Sequence, residues 1–504
     1  MKKSKFNNII ENRLGGYKQI ISRVDENRPN QLSKKVKVAV IGGGIAGLVS
    51  SAYLVERGFE VNLFEKENYL GGKIGSWKVE FSNGYITNVE HGFHGFFKQY
   101  YNLRNYLHKI DAHKYLIPLE DYLIITKDHK HYRFKDISTV PILNIFDMIK
   151  RGFFPLSLFF KSSVSFKMLD MVKYDQVKTF DKWDNVNFLQ FASKAKLPKE
   201  LQLIFESFSR AFFAEPQLIS VAELMKSFHF YFLSNDLGLI YDVLNDDFEK
   251  TFINPFLNFT KEKKFSYRTG INISSIDKVN GKFVVNGGLY DYLVLSSDIK
   301  GTKNIIRNSP YFKRNYPLFF DKVMKQKQSQ KYSVLRIWTN KRHKGKYPFF
   351  IFTEALKMLD SITIYHEMEE DSRRWAEQNN GGIYELHSYA VPDENLSVSE
   401  VRENLLTEFY HFFPEMKDAQ IIYEHLQLRD DFTAFHTGLN SNRLTFKTEV
   451  ENLYFSGDWI KLESPAMLME AAATSALFSV NEIFKKEGLK QEKIYSVPLK
   501  GILA

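Results

Sequence analysis

The stretch from residue 36 to residue 66, VKVAVIGGGIAGLVSSAYLVERGFEVNLFEK, constrains this chain most. Residues 36–41 form a short apolar run of the kind that makes a buried parallel strand. Gly42, Gly44 and Gly47 follow with the spacing G-x-G-x-x-G. A helical segment over 45–57 stops at Gly58, and a second strand over 61–64 ends in Glu65. Each part has a physical task. Gly42 permits a tight turn, Gly44 lets the backbone approach a pyrophosphate, and Gly47 lets the helix pack on the strand. Ile45 and Ala46 open a helix whose free N–H groups and partial positive charge suit phosphate. Glu65 is placed to accept hydrogen bonds from a ribose, with Lys66 beside it. Strand, turn, helix, strand and acid in register predict a dinucleotide site. This stretch alone does not separate FAD from NAD or from a methyl-donor nucleotide.

The rest of the chain narrows the chemistry. It has 504 residues, too many for one compact core, so two intertwined domains are expected. There is no cysteine, which excludes disulfides, thiolate zinc sites, cysteine-ligated clusters and a cysteine nucleophile. A redox cofactor here has no internal thiol relay and needs an outside electron acceptor. The net charge of +10 is scattered and no nucleic-acid motif accompanies it; an anionic membrane surface is as good a partner as nucleic acid, and a plain solvated surface accounts for the charge better than nucleic acid does. No apolar run is long enough to span a bilayer. Residues 1–34 are polar and basic and read as a flexible or loosely packed extension.

A second glycine pair, Gly71 and Gly72, precedes Lys73, which can neutralise phosphate or flavin charge. Then come Glu90-His91-Gly92-Phe93-His94-Gly95-Phe96-Phe97 and Tyr100-Tyr101-Asn102-Leu103. His91 and His94 lie three apart, but Gly92 and Gly95 argue against a helix and no further ligand follows, so no metal site is expected. Near the other end, Leu453-Tyr454-Phe455-Ser456-Gly457-Asp458 reads as a strand closing in Gly-Asp. Pro465-Ala466-Met467-Leu468-Met469-Glu470 then leads into a helix.

These motifs together resemble the carotenoid desaturase branch of the FAD-dependent amine oxidase superfamily. The phrase from His91 to Arg104 is most similar to the isorenieratene synthase group, desaturase/methyltransferases that aromatise a β-ring. The resemblance departs at Ala471 and Ala476, where Arg and Gly are usual, which bears on substrate matching rather than flavin binding. It implies FAD held by Gly42, Gly44, Ile45, Ala46, Gly47, Glu65, Lys66, Gly71, Gly72, Lys73, Ile273, Gly457, Asp458 and Met469. It places Phe96, Phe97, Tyr100, Arg210 and Phe212 on the substrate side, with Arg210 equally suited to a structural ion pair. His94 and Glu470 are alternative acceptors of a proton, the plainer reading being that Glu470 bonds flavin or backbone and His94 packs in the core. The implied partners are a hydrophobic polyene, a membrane surface and an external acceptor such as a quinone or oxygen. The implied location is cytoplasmic, peripheral to the inner face of the cell membrane. The favoured activity is oxidation of a β-type end ring with methyl migration. A linear carotene desaturase or isomerase, an amine oxidase, and a structural flavoprotein are the rivals.

The expected fold is α/β, a discontinuous Rossmann-like FAD-binding domain with a mixed sheet-plus-helix substrate domain. The FAD domain is drawn from 35–105, 255–300 and 445–490, the substrate domain from 106–254 and 301–444, with a tail over 491–504. Residues 121–134 read as a hairpin, 187–233 as three helices, and 331–391 as several strands of a substrate-domain sheet. Ser397 and Glu400 have the spacing of a capping box. The segment 141–173, aromatic, apolar and basic, reads either as a membrane contact or as an ordinary helical pair covering a core.

Overall fold

The structure, a computed structural model, describes residues 4–153, 173–197, 202, 205, 206 and 209–504. Two sheets organise it. The first is five-stranded and wholly parallel, in the order Phe265–Arg268, Glu60–Phe64, Lys37–Ile41, Tyr292–Leu295, Leu453–Phe455. Its central strands, KVAVI and YLVL, are covered on both faces and so carry unbroken apolar runs. Side chains alternate between the two faces. Val38, Val40, Leu63 and Val294 pack under the helices Ile45–Glu56 and Leu468–Lys486. Ala39, Ile41, Leu293 and Leu295 pack on the opposite side with Phe283, Ile299 and Phe455. Because the sheet is parallel, all five strands end on one edge, and the ligand-binding loops gather there.

The second sheet has seven strands. Its order is Ile421–Arg429, Tyr332–Thr339, Gly382–Ser388, Ser361–Ile364, Phe350–Thr353, Leu123–Ile125, His131–Arg133. The last two form the hairpin expected over 121–134. On one face Leu335, Ile337, Tyr384 and Leu386 pack against Leu405 and Phe409 of the helix Val398–Phe412. That helix begins with the Ser397–Glu400 capping box. The opposite face carries Val334, Arg336, Glu385 and His387. Val334 pairs across the strands with His387, and Arg336 with Glu385. The chain is thus an α/β protein with a Rossmann-like domain built from separated segments and a mixed sheet-plus-helix partner domain.

The N-terminal segment corrects one expectation. Residues 4–34 are not a loose extension. Ser4 caps a helix, Lys5–Arg13, by accepting from the Asn7 N–H at 3.1 Å. Ile10, Leu14 and Tyr17 bury themselves with Ile502. Gln19–Ile20 then pairs antiparallel with Tyr495–Ser496. The apolar residues there are few but fall at helical spacing, and their partner lies at the far end of the chain. Residues 154–172, the larger part of the segment read as a membrane contact or a helical pair, lie outside the described residues.

Candidate active site

The three glycines of the first motif serve different masters. Gly42 has φ +107°, and a Cβ there would meet the Ser296 backbone at 2.7 Å. A Cβ on Gly47 would lie 1.9 Å from the Gly42 carbonyl oxygen. Both are therefore demanded by the protein's own packing. Gly44 is different: a Cβ there would find only the Gly71 oxygen at 3.7 Å and the Gly72 Cα at 4.0 Å. Its backbone faces an open cavity, as a pyrophosphate requires.

Glu65 ends its strand with its carboxylate turned back onto the turn. One oxygen accepts from the Gly43 N–H at 2.6 Å and the other from the Glu67 N–H at 2.9 Å. Burial pushes its pKa up, opposed by those two N–H bonds. Each oxygen keeps a further lone pair for a ribose hydroxyl. Lys66 and Ile273 line the same end of the cavity, as do Ile45 and Ala46. Gly47 does not; it acts through packing.

The two distant motifs meet through an ion pair. Lys73 Nζ lies 2.9 Å from the Asp458 carboxylate and 3.2 Å from the Asp431 carbonyl. Burial alone would lower the Lys73 pKa, but Asp458 and Asp431 outweigh it and keep the ammonium charged. Ser475, two turns into the closing helix, bonds both N–H and C=O of Gly457 at 2.9 and 3.0 Å. The glycine pair Gly71 and Gly72, with Gly457, Asp458 and Met469, forms the wall around this ion pair.

From there one cavity of about 1250 Å³ continues into the second domain. That exceeds the roughly 300–1,000 Å³ of an ordinary small-molecule site, so there is room for a cofactor and a second ligand. Its far arm is lined by Tyr122, Ile124, Phe134, Ile145, Met148, Phe153, Phe205, Phe228, Phe232 and Leu239. Phe97, Tyr100 and Phe212 line it as expected of substrate-side residues. Between arm and glycines stands an aromatic corner. Phe213 stacks on Phe432 with ring centroids 3.5 Å apart, and Tyr332 meets Phe432 edge-on at 4.6 Å. Phe213 and Leu468, both on the cavity wall, have φ of 58° and 48°. Positive φ in bulky residues is costly and concentrates at functional sites.

Besides Gly47, three expected site residues sit elsewhere. Phe96 is fully buried in the apolar core, because neighbours on a strand point to opposite faces and Phe97 takes the cavity side. Arg210 does not line the cavity. Its guanidinium is held by Asp360 at 2.6 Å, by Glu215 and by the Ala390 carbonyl at 2.8 Å. Glu470 is buried behind the wall. It accepts from the Asn102 N–H at 2.9 Å, the Asn102 side-chain amide at 2.8 Å and the Leu103 N–H at 3.0 Å. It therefore caps the helix Tyr101–Lys109, whose first N–H groups have no partner of their own. Burial pushes the Glu470 pKa up to about 8 against those bonds. Glu470 is a cap, not a base facing substrate.

His94 does line the cavity, its Nδ1 donating to the Gly92 carbonyl at 2.7 Å. Burial, with a smaller push from His91, holds its pKa at about 4. The ring is neutral and Nε2 carries its lone pair. Tyr332, His387, Asp431 and Phe432 line the cavity although no motif singled them out, and so does His91, which the sequence weighed only as a metal ligand. The Tyr332 hydroxyl bonds the His91 ring, whose Nε2 lies 3.5 Å from Asp431. Burial pushes Asp431 up, but His91 and Lys73 hold it well below the ordinary carboxylate range. The available signal for Tyr332 and His387 was alternation along the strand segments YSVLRIWT and IYELHSYA.

Fold and site together define a flavoprotein oxidoreductase: a nucleotide cradle at a parallel-sheet edge, opening on a long apolar cavity that a second sheet encloses. The profile of the family of flavin containing amine oxidoreductases matches residues 45–484, and the chain belongs to that family. Its cofactor is FAD, and the residues of the cradle fit it. The chain is 29% identical to a carotenoid phi-ring synthase of Streptomyces griseus, over 92% of this chain and 90% of that one. It is 25% identical to a carotenoid phi-ring synthase of Chlorobaculum tepidum, over 94% and 92%. Among solved structures, an oxidoreductase from Methanosarcina mazei aligns with TM-score 0.63 at 14% identity, covering 89% of this chain and 100% of that one. A putrescine oxidase variant aligns with TM-score 0.64 at 11% identity, covering 90% and 100%. At such identity the likeness concerns the fold.

Proposed function

We propose that this protein oxidises a carotenoid, taking a β-type end ring to an aromatic ring while one methyl moves to the neighbouring carbon. The observation that carries the reading is the far arm of the cavity. It is lined by aromatic and aliphatic side chains and reaches the flavin end past an aromatic corner. Among the described residues of that arm a charged amine would find no counter-charge, whereas an apolar polyene would fill it. The names of the two end-to-end relatives support the same chemistry.

The chemistry balances without a methyl donor. Passing from one ring double bond to three requires loss of two hydrides and two protons, with one intramolecular methyl shift. FAD, when bound, supplies the hydride acceptor, and an external quinone or oxygen removes the electrons. The cradle of Gly42, Gly44 and Glu65 holds the cofactor's polar half. Lys73 and the N-terminus of the helix Leu468–Lys486 offset negative charge at the flavin end. Phe213, Phe432 and Tyr332 present ring faces to a positively charged carbocycle. The apolar wall excludes water, which would otherwise trap the cation.

A membrane-dissolved substrate has to enter from lipid. The helix Leu143–Lys150 borders the arm through Ile145 and Met148 and exposes Phe146 (61% accessible) beside Lys150 and Arg151. This supports a peripheral seat on the inner face of the cell membrane, with entry near that helix. Among the described residues no helix is long and apolar enough to cross a membrane.

A linear desaturase or isomerase is the second reading. It draws on the 24% identity to a zeta-carotene desaturase of Synechocystis, over 57% of this chain and 62% of that one. Expression in a β-carotene-producing host and in a host that stops at linear carotenes separates the two. Aromatic-ring carotenoid in the first host alone is the expected result. New double bonds or isomers only in the second host would favour the linear activity.

A further inference from the structure

Whatever removes hydride from the ring, a proton must follow, and the cavity offers three imidazoles to receive it. His91 has both edges engaged, by Tyr332 at 2.9 Å and Asp431 at 3.5 Å. His94 has no carboxylate partner, and its Nδ1 is committed to Gly92. His387 is built differently. It lies two residues from Glu385 on one strand, so both side chains leave the same face. Its Nε2 is 3.3 Å from Glu385 Oε2, an ion-pair contact, and neither atom has a hydrogen-bond partner among the described residues. The register sets Arg336 directly across from Glu385, where its Nε donates to the other carboxylate oxygen at 2.8 Å. The remaining edge of the His387 ring faces Gly92 on the cavity wall. A Cβ on Gly92 would come within 2.9 Å of His387 Cε1 and 3.4 Å of Nδ1. Gly92 also has φ +126°, so both conformation and the imidazole demand glycine there.

We infer that His387 is a catalytic base that takes the proton lost from the substrate ring, with Glu385 as its positioning residue and Arg336 fixing Glu385. The inference rests on the carotenoid reading above. After hydride departure the ring is a cation. A C–H bond beside the cationic carbon breaks, its electron pair becomes the new C=C bond, and the proton goes to Nδ1 of His387. The resulting imidazolium is paired with the Glu385 carboxylate and releases its proton to solvent before the second oxidation. Glu385 is ready for this. Burial pushes its pKa up, but Arg336 outweighs burial and keeps it below the ordinary range, so the carboxylate is charged. A buried carboxylate behind a histidine fixes the tautomer and stabilises the imidazolium, the arrangement used by acyl-transfer triads. His94 has no such carboxylate behind it to pair with a charged ring.

The test uses purified full-length wild type, His387→Gln, Glu385→Gln and His387→Ala, with bound FAD measured by absorbance and product by pigment analysis. His387→Gln should hold FAD as wild type does and lose aromatic product by about 10²–10⁴-fold, the usual weight of general-base catalysis. Added imidazole should restore part of the activity of His387→Ala. In spectra of the protein with ¹⁵N-labelled histidine, the His387 ring, assigned by its loss in His387→Gln, should carry its proton on Nε2. Full product from flavin-loaded His387→Gln, or a proton on Nδ1, would overturn the inference. If His387→Gln loses its flavin, Glu385→Gln decides: a loss of at least about tenfold supports the dyad, and a wild-type rate refutes it. A wild type that converts no carotene would instead remove the reading on which the dyad rests, and that result is seen without any variant.

Discussion

Gly44 and Gly47 are three residues apart, yet the protein needs them for opposite reasons. A Cβ at Gly44 would face the cavity, with the Gly71 oxygen nearest at 3.7 Å. Gly44→Val should therefore fold, with a far-ultraviolet spectrum and melting temperature near wild type, but be colourless. Gly47→Val, whose Cβ alone would stand 1.9 Å from the Gly42 oxygen, should fail to fold. Yellow Gly44→Val protein would contradict the assignment of that space to a pyrophosphate. Glu470 makes a second contrast. As a helix cap, its loss in Glu470→Gln should cost about 1 kcal/mol of stability while turnover per bound flavin stays within about twofold. A selective collapse of turnover at unchanged stability would return Glu470 to the chemistry. Sequence alone pointed to the glycines, Glu65, Lys73 and Asp458, because short-range spacing dictates their geometry. It misplaced Phe96 and did not choose between the readings of Glu470 and Arg210, because which face a side chain takes depends on partners more than a hundred residues away: Asn102 for Glu470, Asp360 for Arg210, and Asp242, the cross-strand neighbour of Phe96.

At the scale of elements, the strand pair Tyr332–Thr339 and Gly382–Ser388 does what no contiguous motif does. Its register places Arg336 opposite Glu385 and Val334 opposite His387, so a chain of charge and imidazole is written across two strands. The separate segments were readable as strands; their pairing was not. The helix Leu143–Lys150 governs a different property. Phe153, which the aromatic segment offered as a surface anchor, is buried against Tyr132 and Phe134. Phe146 is the exposed aromatic residue on that helix. The protein should float with anionic vesicles at low salt. Flotation should weaken as salt rises, since surface attraction is screened within about 10 Å at 0.1 M. Phe146→Ser should weaken it further without lowering flavin content. Folded protein that remains with the soluble fraction at low salt would argue against a lipid-facing entrance.

Across the whole molecule, burial of imidazole sets the acid limit of stability. Burial is the leading cause that holds His94, His229, His343, His366, His425 and His436 at about 4. The unfolded value is about 6.5. Each folded pKa is depressed, so below about pH 6.5 the unfolded chain binds more protons than the folded one. The stability these residues contribute is present above that pH and is lost as pH falls toward about 4. Glu90, Glu369 and Glu470, whose pKa values burial pushes up, are protonated in the fold over this range and act in the opposite direction, but the six imidazoles outnumber them. The melting temperature should therefore drop between pH 7 and pH 5. A flat or rising melting profile would mean that the imidazoles do not outweigh those carboxyls.

The central claim, that a flavin in this fold oxidises an apolar polyene, is tested most directly by anaerobic mixing. The yellow protein is mixed without oxygen with β-carotene in anionic vesicles and, separately, with primary and secondary amines. The flavin absorbance is then followed. The cavity's uncharged arm predicts bleaching by β-carotene and none by the amines. Bleaching by an amine with β-carotene inert would contradict it.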